Sequence, residues 1–151
     1  MLAEYLLSHP EWVKGRCVVD VGPGSGVVAI AAALAGAARV IACDLDQDAL
    51  TATALNGAEN RVEIELSQDL DTALAAADLV TAADILYDRE NLPLLARFQQ
   101  AAQVLLADSR VPDLNPPGYQ LLGQWQSCTW PDLGESSEYN GVRVFASEPS
   151  P

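Results

Sequence analysis

The chain has 151 residues, half of them apolar, so it has the length of one ordinary domain and enough apolar surface for a buried core. Its 21 acidic residues outnumber its 8 lysines and arginines, and the net charge of −13 disfavours nucleic acid and anionic membrane surfaces as partners. The longest apolar run, residues 27–38, is well short of the roughly 20 residues that cross a bilayer. We expect no membrane span.

The amino-terminal residues and the cysteines bear on compartment and on metal binding. Residues 1–5 lack the basic stretch and long apolar run of a secretion signal, which favours a cytoplasmic protein. The three cysteines, Cys17, Cys43 and Cys128, are widely spaced, and His9 is the only imidazole. This set predicts free thiols and no metal site.

The first half of the chain alternates strand and helix patterns. Leucines at near-helical spacing predict a short opening helix that ends before Pro10. A strand over 16–21 meets a glycine-rich turn, and strong helix formers follow from Val27 to Ala35. A second strand over 39–44 leads to Asp46, which we expect to cap a helix that runs to about Asn60.

The second half continues the alternation and then changes character. Apolar and charged residues alternate over 61–66, which predicts a third strand at the outside of the sheet. Helices over 71–76 and 92–102, strands over 78–83 and 103–107, and a hairpin that joins residues 119–130 to 141–147 through 134–140 complete the prediction. We therefore predict one domain over residues 1–151, built on a doubly wound, mostly parallel seven-strand sheet with an antiparallel hairpin at its end.

The segment from Asp20 to Gly26 has the spacing of a ligand-binding loop. Glycines at positions 22, 24 and 26 allow the backbone to approach a ligand closely, and the following helix offers unpaired N–H groups. Asp44, at the end of the next predicted strand, is suited to accept the hydroxyl hydrogens of a ribose. Together these features predict a nucleoside cofactor at the strand ends.

The charge and spacing of the loop discriminate among nucleoside cofactors. Dinucleotide-binding folds use G-x-G-x-x-G, whereas this loop has G-x-G-x-G, which disfavours an NAD-linked oxidoreductase. A carboxylate at Asp20 would repel phosphates and would suit the ammonium and sulfonium groups of S-adenosylmethionine. ATP is the weaker alternative because no phosphate-binding G-x-x-x-x-G-K-[ST] loop is present.

The stretch from Val18 to Asp44 resembles motif I of the seven-strand, Rossmann-like S-adenosylmethionine-dependent methyltransferases. The resemblance implies that Gly22, Gly24 and Gly26 surround the methionine part of the cofactor, with Asp20 as a further cofactor-binding residue. It also implies that Asp44 binds the ribose, that Leu45 packs on the adenine and that Asp69 is the candidate for the adenine amino group.

The similarity is closest to protein-lysine methyltransferases related to the electron-transfer-flavoprotein β-subunit enzyme, which lie beside the nicotinamide N-methyltransferase-like proteins. That group has a D-x-x-Y motif after strand four, matched here by Asp84-Ile85-Leu86-Tyr87. The match implies that Asp84 and Tyr87 flank the transferring methyl group and an incoming amine. A cationic protein with an acceptor lysine is the expected substrate; a small-molecule amine and a non-catalytic cofactor-binding role are the alternatives.

Two features differ from this family's pattern. The family has a segment before the opening helix that helps to close the site, so we expect the present chain to lack that part of the cofactor lid. After strand five the family has an Asp-Pro-Gly-Arg-like turn, whereas this chain has Asp108-Ser109-Arg110-Val111-Pro112. Because loops determine acceptor choice, this turn is where the substrate contacts are expected to differ.

Overall fold

Seven strands pair into one sheet in the computed structural model, which describes residues 1–126 and 141–147. The strands are β1 (Cys17–Val21), β2 (Arg39–Cys43), β3 (Glu65–Ser67), β4 (Leu79–Ala83), β5 (Gln103–Asp108), β6 (Tyr119–Gln126) and β7 (Gly141–Ser147). The helices are α1 (Leu2–Ser8), α2 (Val27–Leu34), α3 (Gln47–Glu59), α4 (Leu70–Ala76) and α5 (Leu94–Ala101). Short 3₁₀ turns span Pro10–Trp12, Ile85–Tyr87 and Arg89–Asn91.

The strand order is β3-β2-β1-β4-β5-β7-β6. Strands β1 to β5 are parallel, whereas β7 runs antiparallel to both β5 and β6. The predicted doubly wound sheet with a terminal antiparallel hairpin is confirmed. The chain builds outward from β1 to β3 and then returns to β4, so the order reverses between β1 and β4. In open parallel sheets, ligands bind at the carboxyl ends of the strands beside such a reversal.

Helices cover both faces of the sheet. Alternate β1 residues point to opposite faces, and Val18 and Val19 accordingly belong to different apolar clusters. Leu6 of α1 belongs to the cluster with Val18, while Leu74 of α4 and Phe98 of α5 belong to the cluster with Val19. Burial on both faces explains why β1 is a continuous apolar run interrupted only by one aspartate.

The third strand is shorter than predicted, because the first residues of the alternating run end helix α3. The backbone N–H of Val62 donates to the carbonyl of Gly57 at 3.0 Å, and Arg61 adopts a left-handed φ of 57°. These contacts reverse the chain direction and leave only Glu65–Ser67 to pair with β2. The predicted outer position of this strand is confirmed, since β3 forms one edge of the sheet.

The carboxyl-terminal hairpin has an irregular strand. Strand β6 forms the other edge of the sheet, and its register with β7 shifts between Leu121 and Gly123. The predicted connection over 134–140, like Cys128, lies outside the described residues. Within residues 1–126 and 141–147, no helix has the length and apolar character that a membrane crossing needs.

Candidate functional site

A cavity of about 870 Å³ opens at the carboxyl ends of β1, β2 and β4. The last residues of these strands, Val21, Cys43 and Ala83, form its floor. This is the position that the reversal of strand order predicts for a ligand. The volume lies within the range of small-molecule and cofactor sites.

The glycine loop forms one wall of this cavity. The N–H of Gly22 donates to the carbonyl of Cys43 at 3.0 Å, which joins the loop to the end of β2. Gly22, Gly24 and Gly26 have φ angles of 68°, 57° and 85°, a region that residues with a side chain rarely adopt. Gly22 and Gly24 line the cavity, and a methyl group on Gly24 would meet open space. Backbone is therefore the surface that this wall offers to a ligand.

Gly26 lies behind the wall, against helix α3. A Cβ atom on Gly26 would lie 2.9 Å from Cγ2 of Thr53. The Thr53 hydroxyl donates to the carbonyl of Gly24 at 3.3 Å, and the Asn56 amide donates to the carbonyl of Ser25 at 2.7 Å. Helix α3 thus holds the loop in place from outside the cavity.

Asp20 is buried within the sheet beneath the loop and does not line the cavity. Asp20 is 1% exposed, and its Oδ1 accepts a hydrogen bond from the Thr81 hydroxyl at 2.8 Å. Burial raises the pKa of Asp20 to about 7, although hydrogen bonds from Thr81 and from the Ala29 backbone oppose the rise. Its Oδ2 is buried without a partner in the described part of the chain.

Asp44 and Leu45 lie on the cavity wall, directly after β2. Oδ1 of Asp44 accepts the backbone N–H of Asp46 at 2.9 Å, which fixes the orientation of the carboxylate. Leu45 is 84% exposed and presents its apolar side chain at the cavity. Asp46 caps α3 by accepting the N–H of Asp48 at 2.9 Å, as predicted.

Asp69 also lines the cavity, and it caps α4. Its two oxygens accept the N–H of Thr72 at 3.1 Å and the Thr72 hydroxyl at 2.6 Å, and these bonds lower the pKa of Asp69. The neighbouring Gln68 donates its side-chain amide to the carbonyl of Leu45 at 3.1 Å. Asp69 is therefore near the expected adenine site, but its hydrogen bonds are largely made within its own helix turn.

Asp84 and Tyr87 lie at the end of β4, where the cavity continues toward β5. Asp84 has a left-handed φ of 52°, and its Oδ1 accepts both the N–H of Ser109 at 2.7 Å and the Ser109 hydroxyl at 2.9 Å. Non-glycine residues in this conformation concentrate at functional sites. Tyr87 is 78% exposed.

A second cavity of about 480 Å³ shares Asp84 and Tyr87 with the first. The rest of its lining is Leu86, Arg89, Arg110 and Val111. The two spaces therefore meet at the D-x-x-Y motif. Sequence reasoning missed Arg89 and Arg110 as site residues; the only signal was the atypical turn at 108–112, which contains Arg110.

A buried ion pair supports the turn that carries Arg110. Asp108 is fully buried, and its Oδ2 accepts the N–H of Val111 at 2.9 Å and lies 3.4 Å from a guanidinium nitrogen of Arg143. Burial raises the pKa of Asp108, while the Val111 N–H and Arg143 oppose the rise. Arg143 also donates to the carbonyl of Val111. The turn is thereby attached to strand β7.

The electrostatics of the larger cavity favour a cationic nucleoside over a phosphorylated one. Five carboxylates line it, and the one arginine in its lining, Arg97, is paired with one of them at 2.5 Å. The carboxylates are Asp44, Asp46, Asp69, Asp71 and Asp84. Such a surface repels a pyrophosphate and attracts a sulfonium or an ammonium group. The residues present therefore fit S-adenosylmethionine.

Comparison with known proteins also identifies methyltransferases as the similar proteins. The family described as "Ribosomal protein L11 methyltransferase (PrmA)" matches residues 7–104. The electron transfer flavoprotein beta subunit lysine methyltransferase of Rattus norvegicus is 37% identical over 155 aligned positions, which cover 96% of this chain. The chain spans 60% of the length of that relative.

Solved structures show the same fold. A ribosomal protein L11 methylase from Lactobacillus delbrueckii subsp. bulgaricus has a TM-score of 0.70 at 23% identity, over 99% of this chain and 78% of that one. Magnesium protoporphyrin IX methyltransferase from Synechocystis, with S-adenosylmethionine bound, has a TM-score of 0.69 at 16% identity, over 99% of this chain and 76% of that one. At these identities the likeness concerns the fold.

Proposed function

The chain belongs to the PrmA family of S-adenosylmethionine-dependent methyltransferases, and from this membership we propose that it methylates the side-chain amine of a lysine in a protein. The observation that carries the proposal is the meeting of two cavities at Asp84 and Tyr87. One cavity fits the cofactor, and the other is open to an acceptor. The names of the family and of the rat relative support a protein as the acceptor.

The larger cavity would hold the cofactor through backbone and carboxylates. Gly22 and Gly24 would lie against its methionine part, the fixed carboxylate of Asp44 would accept the ribose hydroxyl hydrogens, and Leu45 would cover the adenine. Asp20, which is buried beneath the loop, would act on the cofactor only through its electrostatic field. When bound, S-adenosylmethionine supplies an electrophilic methyl group that an amine nitrogen can take with its lone pair, while the C–S bond electrons stay on sulfur.

Asp84 and Tyr87 would prepare the amine. A lysine arrives as an ammonium group, and the Asp84 carboxylate attracts it to the place where the cavities meet. The exposed ring of Tyr87 can hold the same cation against its face. The amine must lose a proton before it can attack, and Asp84 would take that proton or pass it to water. Holding the amine in line with the methyl group supplies much of the rate.

A small-molecule amine is the second candidate acceptor. The observation in its favour is the size of the acceptor cavity, about 480 Å³, which lies within the range of small-molecule sites. The rim formed by Tyr87 and Arg89 is exposed, so a side chain that protrudes from a protein surface could also enter.

The test is a methyl-transfer assay on the full chain with methyl-labelled S-adenosylmethionine. The acceptors are purified electron transfer flavoprotein β-subunit, purified ribosomal protein L11 and a panel of small primary amines. Acid hydrolysis of the labelled proteins should release methyllysine, and the Asp84→Asn variant should transfer far less label. Label in small amines alone would favour the second candidate. Cofactor binding without transfer to any lysine would refute the proposal.

A further inference from the structure

Asp84 is attached to strand β5 and to the turn that follows it. Its backbone N–H donates at 2.9 Å to the carbonyl of Ala107, which pairs with Ala83 at the end of β4. Its carboxylate accepts two hydrogen bonds from Ser109, one from the N–H at 2.7 Å and one from the hydroxyl at 2.9 Å. The neighbouring strand and its turn therefore hold both the backbone and the side chain of Asp84.

The turn that carries Ser109 is itself attached to the sheet. Asp108, the last residue of β5, is fully buried, and its Oδ2 accepts the N–H of Val111 at 2.9 Å. Arg143 of β7 donates to the carbonyl of Val111 and lies 3.4 Å from Oδ2 of Asp108. Because the backbone is held before and after Ser109, the hydrogen bonds of this residue can determine how the Asp84 carboxylate is oriented.

Both hydrogen bonds from Ser109 reach the same carboxylate oxygen of Asp84, Oδ1. A carboxylate oxygen has about two lone-pair positions, so Ser109 fills those of Oδ1. Rotation of the carboxylate would break both bonds, and each of them is a bond to a charged acceptor, a class that is stronger than bonds between neutral groups. An incoming amine would therefore meet Oδ2, in an orientation that Ser109 determines.

Acceptor binding and methyl transfer depend on this orientation to different degrees. The charge of Asp84 attracts an ammonium group over a distance, and that attraction changes little when the carboxylate turns. Proton transfer needs a carboxylate oxygen within hydrogen-bond reach of the amine, and methyl transfer needs the nitrogen in line with the C–S bond. Loss of the orientation should therefore slow turnover more than it weakens acceptor binding.

We propose that Ser109 is a positioning residue for methyl transfer, which orients Asp84 so that Oδ2 receives the proton of the acceptor amine. The N–H bond of the ammonium group breaks, the proton joins Oδ2, and the lone pair left on nitrogen forms the bond to the methyl carbon while the C–S electrons stay on sulfur. The inference rests on the proposed function, since it concerns the same site. Ser109 acts through Asp84, which with Tyr87 remains the group that contacts the amine.

The test combines methyl-transfer kinetics with a double-mutant cycle on the full chain. The acceptors are purified electron transfer flavoprotein β-subunit, purified ribosomal protein L11 and small primary amines, with methyl-labelled S-adenosylmethionine. The variants are Ser109→Ala, which removes the hydroxyl and keeps the N–H, and Ser109→Thr, which keeps both donors. Asp84→Asn and its combination with Ser109→Ala complete the cycle. Ser8→Ala, at the exposed end of α1, is the matched control.

Ser109→Ala should lower kcat about tenfold, the loss expected for one hydrogen bond to a charged acceptor. The KM for the acceptor should stay within about twofold of the wild-type value, because the charge of Asp84 remains. Calorimetry should give an unchanged Kd for S-adenosylhomocysteine. Ser109→Thr should recover most of the lost kcat, and Ser8→Ala should match the wild type.

The double-mutant cycle separates positioning of Asp84 from a general effect on the fold. In the Asp84→Asn background, loss of the Ser109 hydroxyl should change kcat by less than about twofold, because no carboxylate remains to be oriented. A general structural effect would lower kcat by the same factor in both backgrounds. That equality, wild-type kcat in Ser109→Ala, a loss confined to KM, or no recovery in Ser109→Thr would each overturn the inference.

The same kinetics distinguish this inference from the proposed function. Transfer to a protein lysine by the wild type and equally by Ser109→Ala would leave the proposed function standing and refute the positioning role. Transfer to small amines alone would contradict a protein acceptor, while the kcat comparison on those amines would still decide the role of Ser109. No transfer to any acceptor would contradict both.

Discussion

Replacement of Gly26 by alanine should destabilise the fold, because Gly26 connects the cofactor loop to helix α3. The added Cβ would lie 2.9 Å from Cγ2 of Thr53 and 3.0 Å from its Cα. The Cγ2 atom could rotate away, but the Cα atom belongs to the helix backbone and could move only with α3. The φ angle of 85° adds backbone strain even if the Thr53 atoms move to make room.

The close contact with Thr53 and the strain of the positive φ together determine how much the free energy of unfolding falls. A left-handed backbone costs an alanine about 1 kcal/mol, and overpacking of a well-filled contact costs about 1–3 kcal/mol. The free energy of unfolding should therefore fall by about 2–4 kcal/mol. For a domain of this size each kcal/mol lowers Tm by about 2–4 °C, so Tm should fall by about 4–16 °C.

Denaturant titration and thermal unfolding measure the effect, and Gly24→Ala is the matched control. Gly24 has a similar positive φ of 57°, but its added methyl group would meet no atom within 4 Å. Gly24→Ala should therefore lose only about 1 kcal/mol. A second substitution, Thr53→Ala, should recover part of the Gly26→Ala loss by removing Cγ2. Equal stability of the Gly24 and Gly26 variants would refute the close-contact argument.

Three further predictions concern carboxylates. Asp44→Ala should weaken binding of S-adenosylhomocysteine about tenfold to a hundredfold by calorimetry, since hydrogen bonds to a charged acceptor are lost; unchanged affinity would remove Asp44 from the ribose site. Asp84→Asn should lower kcat by about a hundredfold with little change in cofactor affinity, and wild-type turnover would contradict its role. The pKa of Asp20 is about 7 in the folded chain and about 4 in the unfolded chain. Between these pH values the folded state therefore holds an extra proton. The free energy of unfolding should fall as pH rises from about 4 to 7. Denaturant titrations of Asp20→Asn should show a smaller decline, since the raised pKa of Asp108 still contributes one; an identical pH profile in both proteins would be the contrary result.

Sequence patterns identified the parts of the fold whose signals are local. The glycine loop, the cap at Asp46, and the continuous apolar strands β1, β2 and β4 have signatures within a few residues. The cap at Asp69 was not predicted, because that residue was interpreted as a ligand contact. The start of β3 could not be found in this way. Alternation over 61–66 has the period of a strand. However, the carbonyl of Gly57 accepts a hydrogen bond from the N–H of Val62, so the first residues of this run form the end of helix α3.

The acceptor cavity depends on contacts between distant parts of the chain. Arg89 and Arg110 lie on two different connections, and neither belongs to a recognisable motif. They lie on one cavity only because Ser109 binds Asp84 and Arg143 supports the turn from β7. Asp20 illustrates the same limit, since its spacing suggested a ligand contact, whereas the strand geometry directs its side chain into the sheet.

Titration of the full chain with S-adenosylhomocysteine and, in parallel, with NADH tests the central claim most directly. The acidic cavity and the glycine loop predict binding of S-adenosylhomocysteine with a micromolar Kd, reduced by Asp44→Ala, and no heat from NADH. Selective binding of NADH, or binding of neither ligand, would contradict the assignment of this cavity to the methyl donor.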